Sequence, residues 1–550
     1  MSMSGADLVI RAETVHTLVP GLEPQRALAV LGDRIVAVSP DPDGLDQWIS
    51  EKTRVLEVPG STVLPTFDDT HTHLIFAGHS AHDVPVHEAH TLAEFLDLIR
   101  ERARITPEGQ WIRTTTNWQE LNLRERRMPT AAELDQATDR HPVLVKRGGH
   151  NDVVNTYALK LAGITEDTPV PAGGVIGRDA EGRLNGRLID NAMGLVERLL
   201  PAADREQGIE GLRLASSRYA ATGIGAVRDC MVTLEDFRTL RAARRAGALS
   251  TRVRVLIAAF GLTGPDALES LLEAMEEWRY LDDPWLRVWG VKFVLDGGLE
   301  AGATEEPYAC DHGFRGMLTA NPGTLTEQIE AVVRRGWRVG THAYGDRAVR
   351  ILLDIYERVL QRNPGLPAGS LVMEHGGLTG EEQRKRAVAL GIPVTIQQPL
   401  LHDTAEVERE FWGPERVAAL FPARGWIDQG ALVTAGSDFP VGRFGAMRSV
   451  WGMTTRQTVI GVQGPEHAVT YDEAIALHTT NAVRLLREEH LRGTLTPGRL
   501  ADLTIWDQDP GSCEAEARRD LNPTHTFVGG IQVYGPSPHY ERRTEPTGVA

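Results

Sequence analysis

Cysteine is scarce: Cys230, Cys310 and Cys513 are the only three in 550 residues. They are isolated and odd in number, so neither a disulfide framework nor a CxxC metal knuckle can be assembled. Any metal must be held by nitrogen and oxygen. Long apolar runs are also missing, which excludes a membrane-spanning helix of about 18 residues or more. The opening stretch MSMSGADLVIRAETVHTLVP has no basic segment followed by a continuous apolar one, so it does not read as a signal peptide, and a cytoplasmic location is expected. Positive charge falls short as well. With 58 Lys and Arg against 75 Asp and Glu, the net charge is −17, a surface that repels phosphate backbones and anionic lipid heads and argues against nucleic-acid or membrane partners. What remains, 41% hydrophobic and 24% charged residues with 55 Gly and 31 Pro, is the composition of a globular enzyme, too long for one core of ordinary size. Histidine, by contrast, is concentrated: His71, His73, His79, His82, His87 and His90 fall in one short stretch.

The two ends of the chain share a texture of short apolar strands separated by Gly and Pro turns, as in ALAVLGDRIVAVS near the start and RLADLTIWDQD near the end. They are expected to form one β-sandwich from residues 1–63 and 493–550. The middle, 64–492, alternates apolar strands with amphipathic helices. Strands are predicted at STVLPTF, GIGAVRD, RVRVLIAAF, LRVWGVKFVLDG, WRVGTHAYG, SLVMEHGG, IPVTIQQP and ALVTAGSDFP, with helical spacing between several of them, as in AVRILLDIYERVLQRN. Eight such strands predict an α/β fold, a TIM-like (β/α)8 barrel. The gap between the first two strands far exceeds an ordinary connection, so an inserted substructure of about 130 residues, 80–210, is expected there, capping the barrel mouth.

Chemistry in such a barrel sits at the carboxyl ends of the strands. Strand one ends in Asp69-Thr70-His71-Thr72-His73, and alternate residues share a face, so both imidazoles can meet one metal. Lys292 ends strand four among apolar neighbours. It either reaches Asp296 or water, or it reacts as the neutral amine with carbon dioxide to give a carbamate able to bridge two cations. Strand five ends at His342, strand six at Glu374-His375 and strand eight at Asp438, while strands two and seven offer Arg228-Asp229 and Gln397-Gln398. A structural role is open to each histidine alone; the joint placement points to a metal centre. Asp69 is a candidate to orient an imidazole, with a turn role as the alternative.

These motifs resemble the amidohydrolase superfamily, in particular its family 3 of YtcJ-like and N-substituted formamide deformylase-like hydrolases. The resemblance covers nearly the whole chain through LPTFDDTHTHL, GGHNDVVNTYALKLAGIT, KFVLDGGLEAG, THAYGDRAV, MEHGGL, TAGSDFPV and TNAVRLLREEHLRGTLTPGRLADLTIWDQDP. It implies two divalent ions of zinc type, one of them retained alone in some members. His71, His73 and Asp438 would hold the more buried ion, His342 and His375 the second, with a carbamate made from CO2 on Lys292 between them. It further implies that a metal-bound hydroxide attacks an amide, N-substituted formamide or cyclic amide, with Asp438 as general base and then acid. Barrels of this kind pair as dimers, so a homodimer is expected. Trp118, His150, Phe67, Tyr344 and Arg347 are the candidates for contact with a small amide-type substrate, and Tyr344 or His150 for a donor to the developing alkoxide.

The sequence departs from relatives at Pro65-Thr66-Phe67, Asn117-Trp118-Gln119-Glu120 and Gly297-Gly298, which bears on the substrate. Two other readings compete: a deaminase of a heterocycle with a single metal, against which Lys292 speaks, and a silent barrel that only binds, against which the complete ligand set speaks.

Overall fold

The computed structural model describes residues 5–536 apart from 202, 203, 260, 261, 263, 264 and 282. Residues 537–550 of the expected terminal unit and residue 260 of the expected third strand therefore lie outside the described residues. Eight parallel strands form the centre: Phe67–Thr72, Ile224–Val232, Arg252–Ala258, Leu286–Val294, Arg338–Ala343, Leu371–His375, Val394–Ile396 and Val433–Ala435, each paired with the next in chain order. Their residues are buried almost throughout, which is why they read as apolar runs without alternation. The last strand meets the first through Thr70, whose Oγ1 donates to Thr434 Oγ1 at 2.9 Å and to the Ala435 carbonyl at 3.0 Å, and through the Asp438 N–H on the His71 carbonyl at 2.8 Å. The barrel is thus nearly closed.

The first barrel strand begins later than STVLPTF suggests. Arg54–Pro65 belongs to the terminal sheet, and the change of sheet takes one residue: the Thr66 N–H bonds the Asp502 carbonyl, and the Phe67 N–H bonds the Gly223 carbonyl of the barrel. The terminal strands join in one mixed sheet of seven, in which Arg54–Pro65 lies parallel to Leu8–Val15 on one side and antiparallel to Leu503–Trp506 on the other. Buried ion pairs, Arg252 with Asp502 and Arg492 with Asp68, each bidentate at 2.7–2.8 Å, fix this sheet to the barrel.

Between Thr72 and Ile224 the chain builds a second sheet of five strands, ordered Ile112–Arg113, Val143–Arg147, Asn151–Val154, Leu184–Asp190 and Gly174–Arg178. The helix Leu92–Ile105 starts where Thr91 accepts from the Glu94 N–H, and it buries Leu92, Phe95 and Ile99 at helical spacing against that sheet. The chain returns to the barrel along the helix Arg205–Ala221. There Gly211 packs on Gly78 so closely that a Cβ would stand 2.3 Å from the Gly78 carbonyl oxygen.

Candidate metal centre and active-site cleft

Three ligand groups converge at the top of the barrel. His71 Nε2 and His73 Nε2 lie 3.5 and 2.8 Å from Asp438 Oδ1, all three residues being buried. Such an arrangement of two imidazoles and a carboxylate is a donor set for a divalent cation. His375 and His342 continue the cluster, with ring centroids 4.5 Å from His71 to His375 and 4.4 Å from His375 to His342.

The other ring nitrogen of each of three histidines is already occupied, and this decides which atom is left to bind. His71 Nδ1 lies 2.6 Å from Glu374 Oε2, His375 Nδ1 lies 2.7 Å from Gln397 Oε1, and His342 Nε2 lies 3.2 Å from the Gly297 carbonyl. Carbonyl and carboxylate oxygens can only accept, so each of these nitrogens carries the proton, and the lone pairs sit on His71 Nε2, His375 Nε2 and His342 Nδ1. Burial, then neighbouring cationic groups, holds all three histidines well below their ordinary pKa, which keeps the rings neutral.

Lys292 is 1% exposed, and its Nζ is buried without a hydrogen-bond partner among the described residues. Asp296 does not take it, because that carboxylate accepts from the backbone N–H groups of Ala303, Tyr344 and Gly345. An orphaned buried amine beside five ligand-type residues fits a centre in which lysine is modified and metal-bound, and a buried polar group left unmatched is otherwise costly. The residues present therefore fit divalent metal.

Two further features belong to the site. Glu374, buried at 0% exposure, joins His71 to Arg228, whose Nη2 donates to both of its oxygens at 2.7 and 2.8 Å. Gly340 makes room for it, since a Cβ there would stand 2.2 Å from Glu374 Oε1. His375 and Asp438 hold φ of +70° and +56°, a left-handed conformation that costs non-glycine residues on the order of 1–3 kcal/mol and clusters at functional sites. Asp69 does not orient an imidazole. Its carboxylate accepts from Ser437 N and Oγ and from His71 N, tying strand one to the end of strand eight.

The cleft above the ligands is formed by barrel and inserted unit together. His150 lines it, with Nδ1 2.6 Å from Asp190 Oδ1 and its ring centroid 5.4 Å from that of His342. Burial works against the charged ring, but the Asp190 carboxylate and its hydrogen bond outweigh it and raise the His150 pKa. Gly298 leaves the room this ring needs, since a Cβ would come within 2.8 Å of His150 Cδ2. Tyr344 also lines the cleft, but its hydroxyl donates to Glu408, so it offers the cleft lone pairs and not the donor expected of it.

Three expected contacts lie elsewhere. Trp118 is in the core of the inserted unit, edge-on to Phe95 and donating through Nε1 to the Lys146 carbonyl at 2.7 Å; its neighbour Gln119 lines the cleft instead. Phe67 opens the first barrel strand, edge-on to His478 and Trp506 and facing the terminal sheet. Arg347 donates to the Arg315 and Gly316 carbonyls and so braces a loop.

Residues 55–534 match the model of the amidohydrolase family. The chain belongs to that family. It is 29% identical to an N-substituted formamide deformylase of Arthrobacter pascens across 96% of this chain and 98% of that one, and 25% identical to the YtcJ amidohydrolase of Bacillus subtilis across 89% and 92%. The fold is that of an uncharacterised metal-dependent hydrolase from Pyrococcus horikoshii, with a TM-score of 0.74 at 21% identity over 92% of this chain and 99% of that one. This member of the amidohydrolase family thus gathers His71, His73 and Asp438 where the three can hold a divalent ion. Among the described residues no helix is long and apolar enough to cross a membrane.

Proposed function

We propose that the protein hydrolyses the C–N bond of a small amide, N-substituted formamide or cyclic amide at a centre of two divalent ions. His71, His73 and Asp438 would hold one ion and His342 and His375 the other, with a carbamate on Lys292 between them. The carbamate forms when the neutral amine adds to carbon dioxide and loses a proton to solvent. Ions so placed supply a lowered pKa for water and polarisation of a carbonyl oxygen.

The chain's own groups do the rest. Asp438 is the one carboxylate among the ligands, and its Oδ1 already faces both His71 and His73. It takes the proton from the water that adds to the carbonyl carbon and returns it to the leaving nitrogen as the C–N bond breaks, so acid and amine are released with atoms balanced. Glu374 keeps the His71 proton on Nδ1, and Gln397 does the same for His375. Asp190 fixes His150 so that Nε2 is free toward the cleft, where it can contact the reacting amide.

The observation that carries this reading is the orphaned Lys292 Nζ close to the nitrogen and oxygen donors of His71, His73 and Asp438. Assay of the metal-loaded protein for amine release from amides, formamides, lactams and carbamates tests it. Release from at least one class, lost on chelation and restored by zinc or manganese, is expected; a metal-loaded protein inert toward all four contradicts it.

A further inference from the structure

A trough on the outside of the barrel shares none of its lining residues with the cleft. It lies between the helices Arg205–Ala221 and Leu234–Arg245, where Arg205, Glu235, Arg238, Thr239, Arg241 and Arg245 line a space of about 220 Å³. Gly208 lets the two helices approach, since a Cβ there would stand 3.0 Å from Thr239 Cγ2. The sequence places the cations along one line. Arg238, Arg241 and Arg245 fall at i, i+3 and i+7, so one face of their helix carries all three, and Arg205 joins them from the neighbouring helix.

These guanidinium groups meet few carboxylates. Glu235 takes Arg238 at 2.9 Å, and Glu277, outside the lining, takes Arg241 at 3.5 Å. Asp204 and Glu206 flank Arg205 in the chain, yet Asp204 accepts the Glu206 N–H as the cap of its helix and neither acid lines the trough. Among the described residues Arg205 and Arg245 have no hydrogen-bond or ion-pair partner, and both are exposed, so their charges and the five N–H donors of each are unmatched. Like charges at these helical spacings repel, a repulsion that a bound anion relieves. In a chain of net charge −17 the trough is a local reversal of sign.

We propose that this trough binds a small molecule through two or more linked phosphate groups, either inorganic diphosphate or the diphosphate of a nucleotide. The site is independent of the hydrolase reading above. Arg238 and Arg245 are seven residues apart, about 10 Å of helix, a line too long for one phosphate and suited to a chain of them. Arginine presents a planar pair of donors that matches phosphate oxygens and forms charge-assisted bonds with them. Arg205 and Arg245 grip the anion with their unmatched donors, and Arg238 and Arg241 add the donors that their carboxylates leave. Nucleic acid, a far longer chain of phosphates, is opposed by the negative charge of the surface as a whole.

Calorimetry on the metal-loaded full chain provides the test, with inorganic diphosphate, ADP and orthophosphate as probes. Diphosphate or ADP is expected to bind about ten-fold or more tighter than orthophosphate. Arg205→Gln and Arg245→Gln change exposed side chains without partners, so both variants should fold, and each should weaken that binding by about five-fold or more. Arg100→Gln removes the same charge from the inserted unit and should change it by less than about two-fold. ADP bound more tightly than diphosphate, with the same dependence on both arginines, supports the proposal with a nucleotide as the ligand; diphosphate bound at least as tightly as ADP supports it with the inorganic ion. Binding indifferent to Arg205 and Arg245, as coordination to the metal ions would be, overturns the proposal. Equal weakening by Arg100→Gln, orthophosphate bound as tightly as the other two, or no binding of diphosphate and ADP overturns it as well.

Discussion

On the barrel rim, three of the clustered histidines are fixed by groups from the barrel itself: Glu374 holds His71, Gln397 holds His375 and the Gly297 carbonyl holds His342. In the inserted unit the polar groups that reach the cleft are held by residues distant in the chain, Asp190 behind His150 within the unit and Glu120 with the barrel's Glu300 around Arg147. The rim thus presents lone pairs in a geometry that eight parallel strands determine, which suits a reaction common to many substrates. The insertion presents charge and acceptors whose placement a few substitutions could alter, which suits choice among substrates. Long loops on a rigid scaffold divide the work in the same way.

The largest effect is expected at Asp438. Asp438→Asn should lower turnover by about 10³-fold or more while the thermal midpoint stays close to that of the unaltered protein; retention of most activity would show that another group accepts the proton. Glu374→Gln comes next. It leaves Arg228 buried without its ion pair and a single acceptor oxygen for both Arg228 and His71, so a stability loss of about 3–5 kcal/mol and a fall in metal affinity of about 10–100-fold are expected from denaturation and metal titration.

A smaller effect belongs to the foot of the barrel. His478 is buried, with Nδ1 donating to the Asp68 carbonyl and Nε2 paired with Ser449 Oγ, and is held down at about 4 by burial, partly opposed by its backbone hydrogen bond. Its unfolded value is higher, so the unfolded chain binds the extra proton first. The stability it preserves is complete above pH 6.5 and lost as pH falls toward 4, by about 3 kcal/mol in all. Denaturation curves through that window should steepen this loss relative to His478→Gln. Smallest is Phe67→Leu, which removes an edge-on contact remote from the cleft: a cost of about 1 kcal/mol with turnover within about two-fold is expected, and a large change in KM would return Phe67 to the substrate site.

The clustering of His71, His73, His342, His375 and Asp438 was legible because each lies at or just past the end of an apolar strand, and the barrel puts strand ends in one place whatever the loops do. Glu374 carried the same signal, an acid on an apolar strand one residue before a ligand, yet alternation points it below the ring it supports. Gln119 was hidden by Trp118: in extended chain adjacent side chains face opposite ways, and the aromatic took the core while the amide took the cleft. Asp190 had no local signal because it meets His150 through strand pairing within the inserted sheet, and Glu300 had none because its role depends on how that sheet lies over the barrel. Phe67 was misplaced for a simpler reason, the change of sheet at Thr66, which sets the start of the first barrel strand and puts Phe67 at its far end from the ligands.

Metal analysis of the purified protein, expressed with zinc or manganese supplied, tests the central claim most directly. Close to two ions per chain are expected, falling in Lys292→Ala together with activity and partly recovered with a small carboxylic acid. Near-zero metal in the unaltered protein, or metal content indifferent to loss of Lys292, would contradict it.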